Sequence, residues 1–208
     1  MVVVLDSKVF VYRFKDLKLL DQITTVSNPK GLISLCPDAK NNVLAIPGLA
    51  RGSIRIELYD IAKATLIKAH DTDLAIFSLN SDGSRIASAS EKGTLIRIWN
   101  CHTGEPLREL RRGMDRAEIY CISFNTATTY LACSSDKGTV HIYSLMGSTK
   151  SGESMSPFPT TTNESMTASS VGLSDDLMAI REGSTVTMLS GNEYNNNSLS
   201  SNGNNSGN

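Results

Sequence analysis

The sequence predicts an all-β fold, a partial β-propeller built from four-stranded blades and followed by a polar tail. Three observations predict it. Strand-length apolar runs, separated by turn residues, recur from Val2 to Tyr143. The strand–turn–strand chemistry repeats, with Gly93 and Gly138 about 45 residues apart, a spacing that suits one propeller blade. Near Gly147 the composition changes abruptly to Ser, Thr, Asn, Gly and Pro. The division is therefore a partial propeller over residues 1–146 and a low-complexity tail over 147–208, expected to be mostly disordered. A β-sandwich with similar hairpins is the competing architecture, and the self-similar turn chemistry favours the repeat.

The elements follow in order. Val2–Leu5 and Val9–Phe14 read as strands about an Asp6-Ser7-Lys8 turn, and Gln22–Val26 as a third. A strand at the first residues makes an upstream portion expected. Asn28-Pro29-Lys30-Gly31 is a turn signal, since Asn, Pro and Gly each favour turn dihedrals. Leu32–Leu35 and Asn42–Ile46 read as strands interrupted by Pro37-Asp38 and Pro47-Gly48. Ser53–Asp60 alternates polar and apolar residues, the mark of a half-buried strand, and Leu66–Ala69 is the next. Then come Leu74–Leu79, the Asn80-Ser81-Asp82-Gly83 turn, Arg85–Ala89, the Glu91-Lys92-Gly93 turn, Leu95–Trp99 and Leu107–Leu110. The order repeats with Ile119–Phe124, Tyr130–Cys133, the Asp136-Lys137-Gly138 turn and Val140–Tyr143. In the tail, Leu177–Ile180 and Val186–Leu189 have the makings of an isolated hairpin only.

The bulk numbers exclude several classes. A net charge of -1 supplies no cationic field for general nucleic-acid binding, so anion recognition must be local. Cys36, Cys101, Cys121 and Cys133 are scattered without paired spacing, which reads as free buried thiols rather than a zinc site or disulfide framework. No apolar run approaches the ~20 residues that span a bilayer as a helix. Met1–Leu5 is too short, and lacks the basic start, for a signal peptide. No Ser–His–Asp arrangement, phosphate-cradling glycine loop or metal cluster appears, and no cofactor is expected. Asp71, Asp73 and Asp82 sit at turns, where Asp is at home.

One stretch organises the rest: Leu110-Arg111-Arg112-Gly113, between the two similar segments. Adjacent side chains on a strand point to opposite faces, so each arginine serves a different neighbour. One flank offers Ser90, Thr94 and Arg97, and the other Ser135, Thr139 and His141. Hydroxyls beside a guanidinium fork suit a phosphate group. Two anion pockets sharing one arginine pair are expected. A protonated His141 donates two hydrogen bonds rather than one, so anion binding is expected to strengthen at mildly acid pH. Lys92 and Lys137 solvate turns and would steer the rim toward an anionic surface. His70 and Trp99 read as structural blade residues, and His102 as a solvated loop residue.

His70, Ser81-Asp82-Gly83, Ala87-Ser88-Ala89-Ser90 and Ile96-Arg97-Ile98-Trp99-Asn100 resemble WD40 repeats. The arginine pair between Lys92-Gly93-Thr94 and Ser134-Ser135-Asp136-Lys137-Gly138-Thr139-Val140-His141-Ile142 resembles the PROPPIN family, over roughly residues 2–145. Asn28-Pro29-Lys30-Gly31, Pro47-Gly48 and Ala69-His70-Asp71 are also similar to it, and the run Arg112–Tyr120 is most similar to plant members. The resemblance implies a seven-bladed propeller, here present as about three to four blades. It implies binding of phosphatidylinositol 3-phosphate and phosphatidylinositol 3,5-bisphosphate in autophagosome formation, with autophagy proteins as partners. By position it implies Arg111 with Ser90, Thr94 and Arg97 at one site, and Arg112 with Ser135, Thr139 and His141 at the other. A cytoplasmic protein, peripheral on preautophagosomal, endosomal or vacuolar membranes, is the implied location. The family also carries a membrane-touching loop, for which Met155, Phe158 and Met166 are the tail's candidates. The alternatives are a general WD40 interaction scaffold without lipid binding, or an inactive truncated product.

Overall fold

The computed structural model describes residues 1–146, 164–167 and 185–190. Strands β1 (Val2–Val4), β2 (Lys8–Tyr12) and β3 (Leu19–Thr24) form a three-stranded sheet in that order. Strands β4 (Ser34–Leu35), β5 (Val43–Pro47), β6 (Ser53–Leu58) and β7 (Lys63–Lys68) form a second sheet, with a short 3-10 turn at Tyr59–Ile61. Strands β8 (Leu74–Leu79), β9 (Arg85–Ser90), β10 (Leu95–Asn100) and β11 (Pro106–Arg111) form a third. The fourth contains β12 (Ile119–Phe124), β13 (Tyr130–Ser135) and β14 (Thr139–Ser144), extended by β16 (Thr185–Ser190) and then β15 (Glu164–Thr167). Each sheet is an antiparallel meander of sequential strands, a propeller blade, except that β16 runs parallel to β14.

The core lies between the blades. Val9, Ile23, Leu44 and Ile46 join the first two sheets. Ile54, Ile56, Ile67, Phe77, Ile86 and Trp99 join the second and third, and Ala87, Ala89, Ile96, Ile98, Leu110, Leu131 and Tyr143 the third and fourth. The inner blades therefore bury both faces, which is why β5 reads as a continuous apolar run rather than an alternating one. Each fully buried Leu, Ile or Phe contributes about 1.5–3 kcal/mol. A polar knot reinforces the junction before the third blade. Ser88 Oγ accepts from Trp99 Nε1 at 3.2 Å and lies 3.0 Å from His70 Nε2, all three residues being buried. That fixes His70 and Trp99 in the structural role their positions imply.

Two glycines show how blades lock together. A Cβ at Gly93 would stand 1.9 Å from the carbonyl oxygen of Ala117, and one at Gly52 would stand 2.0 Å from that of His70. Both have positive φ, so only glycine lets the inner turn pass beneath the chain entering the next blade.

Several element limits differ from the sequence reading, for local reasons. The second strand stops at Tyr12, because Phe14 lies in the exposed turn with Leu17 at φ 54°. The strand expected at 32–35 shrinks to Ser34–Leu35. Asn28 receives the Leu32 N–H on its Oδ1 and donates its Nδ2 to the Leu32 carbonyl, withdrawing Leu32 from the ladder. Lys63–Lys68 begins earlier than the apolar run Leu66–Ala69, because its outer face is solvated. Free buried thiols hold for Cys36, Cys101 and Cys133, but Cys121 is exposed. The tail differs most. Val186–Leu189 lies within a strand whose described partners are β14 and β15, so it extends a blade instead of forming an isolated hairpin. Its Thr-Val-Thr run has high strand propensity, and β14 offers it an open ladder. Leu177–Ile180, Met155, Phe158 and the disorder expected of the rest of the tail lie outside the described residues, as does the side chain of Met166.

Candidate functional site

The end of β11 sets the site. Leu95 pairs with Arg111, Ile96 with Leu110, and Arg97 with Glu109. Leu110 is buried between the third and fourth blades. Alternation places Arg111 and Glu109 on the opposite face, toward the second blade. Arg112 lies just past the strand, its N–H donated to the Thr94 carbonyl at 2.9 Å. The two arginines therefore look toward different blades, as their adjacency predicts.

On the fourth-blade side, Arg112 is only 8 % exposed. Its Nε donates to the Gly93 carbonyl at 2.6 Å and its Nη2 to the Asp115 carbonyl at 2.5 Å. A buried cation needs such partners, and these carbonyl dipoles compensate its charge without neutralising it. Cys133 pairs with His141 across β13 and β14, so Cys133, Ser135, Thr139 and His141 share one face. His141 Nε2 lies 3.2 Å from Thr139 Oγ1, and its buried Nδ1 has no partner among the described residues. Burial, and then the Arg112 charge, hold the His141 pKa below its ordinary 6.5. Ser135 is buried at the turn, its Oγ accepting the Lys137 N–H at 3.4 Å. Tyr143 closes the floor, its hydroxyl donating to the Arg111 carbonyl at 3.4 Å.

On the second-blade side, Arg111 is exposed. Arg97, expected at this site, already has partners within the fold. Its Nε donates to Glu109 Oε2 at 2.9 Å and its Nη1 to the Ala69 carbonyl at 2.8 Å. Ser90 is buried at the end of β9, and its carbonyl receives the Gly93 N–H. The Thr94 carbonyl takes both the Arg112 and Gly113 N–H groups, so Thr94 borders both arginines rather than Arg111 alone. His70 occupies this side, its pKa pushed down to about 4 by burial and then by Arg97.

The connection from Arg112 to Glu118 straps over the Glu91–Gly93 turn. Arg116 Nε donates to the Glu91 carbonyl at 3.2 Å, and the Ala117 N–H to the Lys92 carbonyl at 3.2 Å. Glu118 and Asp136 exchange bonds that tie the strap to the next turn. Lys137 is paired with Asp136 at 3.2 Å, and Lys92 is exposed.

A family model described as PROPPIN matches residues 1–175. The chain belongs to the PROPPIN family. It is 43% identical over 144 residues to autophagy-related protein 18e of Arabidopsis thaliana, covering 69% of this chain and 38% of the relative. Kluyveromyces marxianus Hsv2 has a similar structure, with 30% identity and a TM-score of 0.62, over 70% of this chain and 46% of that one. A solved complex of KlAtg21 with the coiled-coil of AgAtg16 matches at 27% identity and a TM-score of 0.61, over 70% of this chain and 49% of that one. The chain thus spans about two-fifths of the length of the curated relative it matches.

In this PROPPIN chain the sequence reading missed four contributors: Glu109, which neutralises Arg97, the Gly93 and Asp115 carbonyls, which hold Arg112, and Tyr143. Glu109 was findable, since it stands two residues before Arg111 on the same strand face. The carbonyls leave no trace in residue identity.

Proposed function

We propose that this chain binds phosphoinositide headgroups at its rim, phosphatidylinositol 3-phosphate and phosphatidylinositol 3,5-bisphosphate, and so is recruited to membranes in autophagosome formation. The observation that carries the reading is the arginine pair, set toward two blades, with Arg112 buried beside the Thr139–His141 pair. A phosphate there would meet the Arg112 guanidinium and the Ser135 and Thr139 hydroxyls, beside His141, whose buried Nδ1 has no partner among the described residues. Each charge-assisted hydrogen bond is worth about 1.5–3 kcal/mol. Arg111 supplies the second site, with Ser90, Thr94 and Arg97. Two sites on one rigid rim engage a membrane together and multiply affinity. PROPPIN membership and the autophagy-related names of the relatives support the setting. The proposed location is the cytoplasm, peripheral on preautophagosomal, endosomal or vacuolar membranes, and the role is binding rather than catalysis.

A second activity has its own support. The similar KlAtg21 structure holds a coiled-coil of AgAtg16, so a helical autophagy protein is a proposed partner alongside lipid. Liposome co-flotation tests the main reading. The native chain is expected to float with vesicles containing phosphatidylinositol 3-phosphate and not with phosphatidylinositol alone. Arg111→Ala/Arg112→Ala is expected to stay in the pellet, with circular dichroism showing retained strand content. Equal flotation of native and doubly substituted chains would leave the interaction scaffold.

A further inference from the structure

The tip of the strap over the Glu91–Gly93 turn holds an apolar side chain with no work inside the fold. Met114 is 83 % exposed. It sits two residues beyond the buried Arg112, on a segment whose conformation is heavily determined. Arg112 Nε holds Gly93 O from above, Arg112 Nη2 closes back on Asp115 O, Arg116 Nε reaches Glu91 O, and Ala117 N reaches Lys92 O. Gly93 has no room for a side chain beneath Ala117, so the strap lies flat on the turn. An exposed methionine on a frayed loop means little. An exposed methionine held out by four such anchors is presented.

Its surroundings fit one kind of surface. The strap and the turn beneath it carry Arg111, Lys92 and Arg116, against Asp115, Glu118 and a Glu91 already paired with Lys30. Cationic side chains around a single apolar tip match the boundary of an anionic bilayer, where the charges meet headgroups and the thioether meets acyl chains. Methionine suits this, being flexible, unbranched and polarisable.

We propose that Met114 is an apolar wedge that enters the bilayer interface when the arginine pair engages lipid phosphates. The proposal rests on the lipid reading above and adds a contact that a free headgroup does not make. It separates two sources of affinity: phosphate recognition by the arginines, and apolar burial by the strap.

The experiment compares native chain, Met114→Leu and Met114→Asp on two probes. One is vesicles of phosphatidylcholine with phosphatidylinositol 3-phosphate. The other is water-soluble inositol 1,3-bisphosphate. Met114→Asp is expected to lose about tenfold or more in vesicle affinity, the scale of one buried side chain, with soluble-headgroup affinity unchanged. Met114→Leu is expected to match the native chain on both. In Met114→Trp, emission from position 114 is expected to be quenched by brominated acyl chains, whereas Trp99 is buried in the core and unaffected. Vesicle affinity unchanged in Met114→Asp, with headgroup binding intact, overturns the wedge and leaves the phosphate sites standing. Equal losses on both probes also overturn it, by showing that Met114 shapes the headgroup site. A folded native chain that binds neither probe overturns the lipid reading and the wedge with it.

Discussion

Arg111 and Arg112 are neighbours in sequence and opposites in setting. Each faces a blade junction that holds a histidine with a depressed pKa. On the second-blade side, His70 is bonded to Ser88, which also accepts from Trp99, and the second cation, Arg97, donates to Glu109 and the Ala69 carbonyl. On the fourth-blade side, Arg112 is held by two main-chain carbonyls among the described residues, and His141 keeps a buried nitrogen without a described partner. The first junction has paired its histidine and its second cation, and leaves Arg111 exposed at the rim. The second has organised its groups and left capacity for a ligand. A buried cation compensated by dipoles still attracts an anion, whereas one paired with a carboxylate has already met its match.

The comparison can be broken most forcefully at Gly93. Gly93→Ala forces a side chain into the Ala117 carbonyl at a left-handed φ, and is expected to destabilise by about 3 kcal/mol or more. The same change at Gly138, where a Cβ meets nothing within 4 Å, is expected to cost only about 1 kcal/mol. Chemical denaturation of the two variants reads the difference.

Acid reaches both junctions. His70 in the folded protein has a pKa of about 4 against an ordinary 6.5, so the unfolded chain binds the proton more readily. Its contribution is complete above pH 6.5 and is lost as pH falls toward 4, by about 1.4 kcal/mol per unit. His141 shifts in the same direction and adds to the loss. A plot of denaturation midpoint against pH is expected to fall through this window, and less steeply in His141→Gln. Bound phosphate favours the charged form of His141, so headgroup affinity is expected to depend on pH more in the native chain than in His141→Gln.

Arg112→Ala leaves the Gly93 and Asp115 carbonyls without their donor, and is expected to cost about 2–3 kcal/mol. Arg111→Ala, at an exposed position, is expected to change stability by about 0.5 kcal/mol while still weakening vesicle binding. Thermal melts separate the two, since about 1 kcal/mol moves the midpoint by roughly 2–4 °C at this size. Glu109→Gln is read in binding. It removes the carboxylate from Arg97 and raises the potential beside Arg111, which is expected to tighten binding to anionic vesicles about fivefold, near 1 kcal/mol per charge.

Much of this was legible in the sequence. The blade rhythm is visible because glycines such as Gly83, Gly93 and Gly138 mark turns at positive φ, although Leu17, Ala62 and Thr128 take that region with no such signal. The opposed facing of the arginines is what strand alternation predicts, although Arg112 lies one residue past β11 and is held by the strap. The partners of Arg97 are not legible, because residue type shows a cation and not that Glu109 and the Ala69 carbonyl stand against it. The retained strand at Thr185–Ser190 was discounted because the surrounding composition is polar, although an open ladder on β14 needs only backbone groups to recruit it. The carbonyl cradle around Arg112 depends on a strap conformation that no side-chain pattern encodes.

The central claim is that the two arginines serve two separate anion sites on opposite faces of one blade. Calorimetric titration with a water-soluble short-chain phosphatidylinositol 3-phosphate tests it most directly, on the native chain, Arg111→Ala and Arg112→Ala. The account predicts two headgroups bound per native chain and one per single variant, with the His141-dependent pH response surviving only in Arg111→Ala. Loss of both sites in either folded variant, or a single site in the native chain, would contradict it.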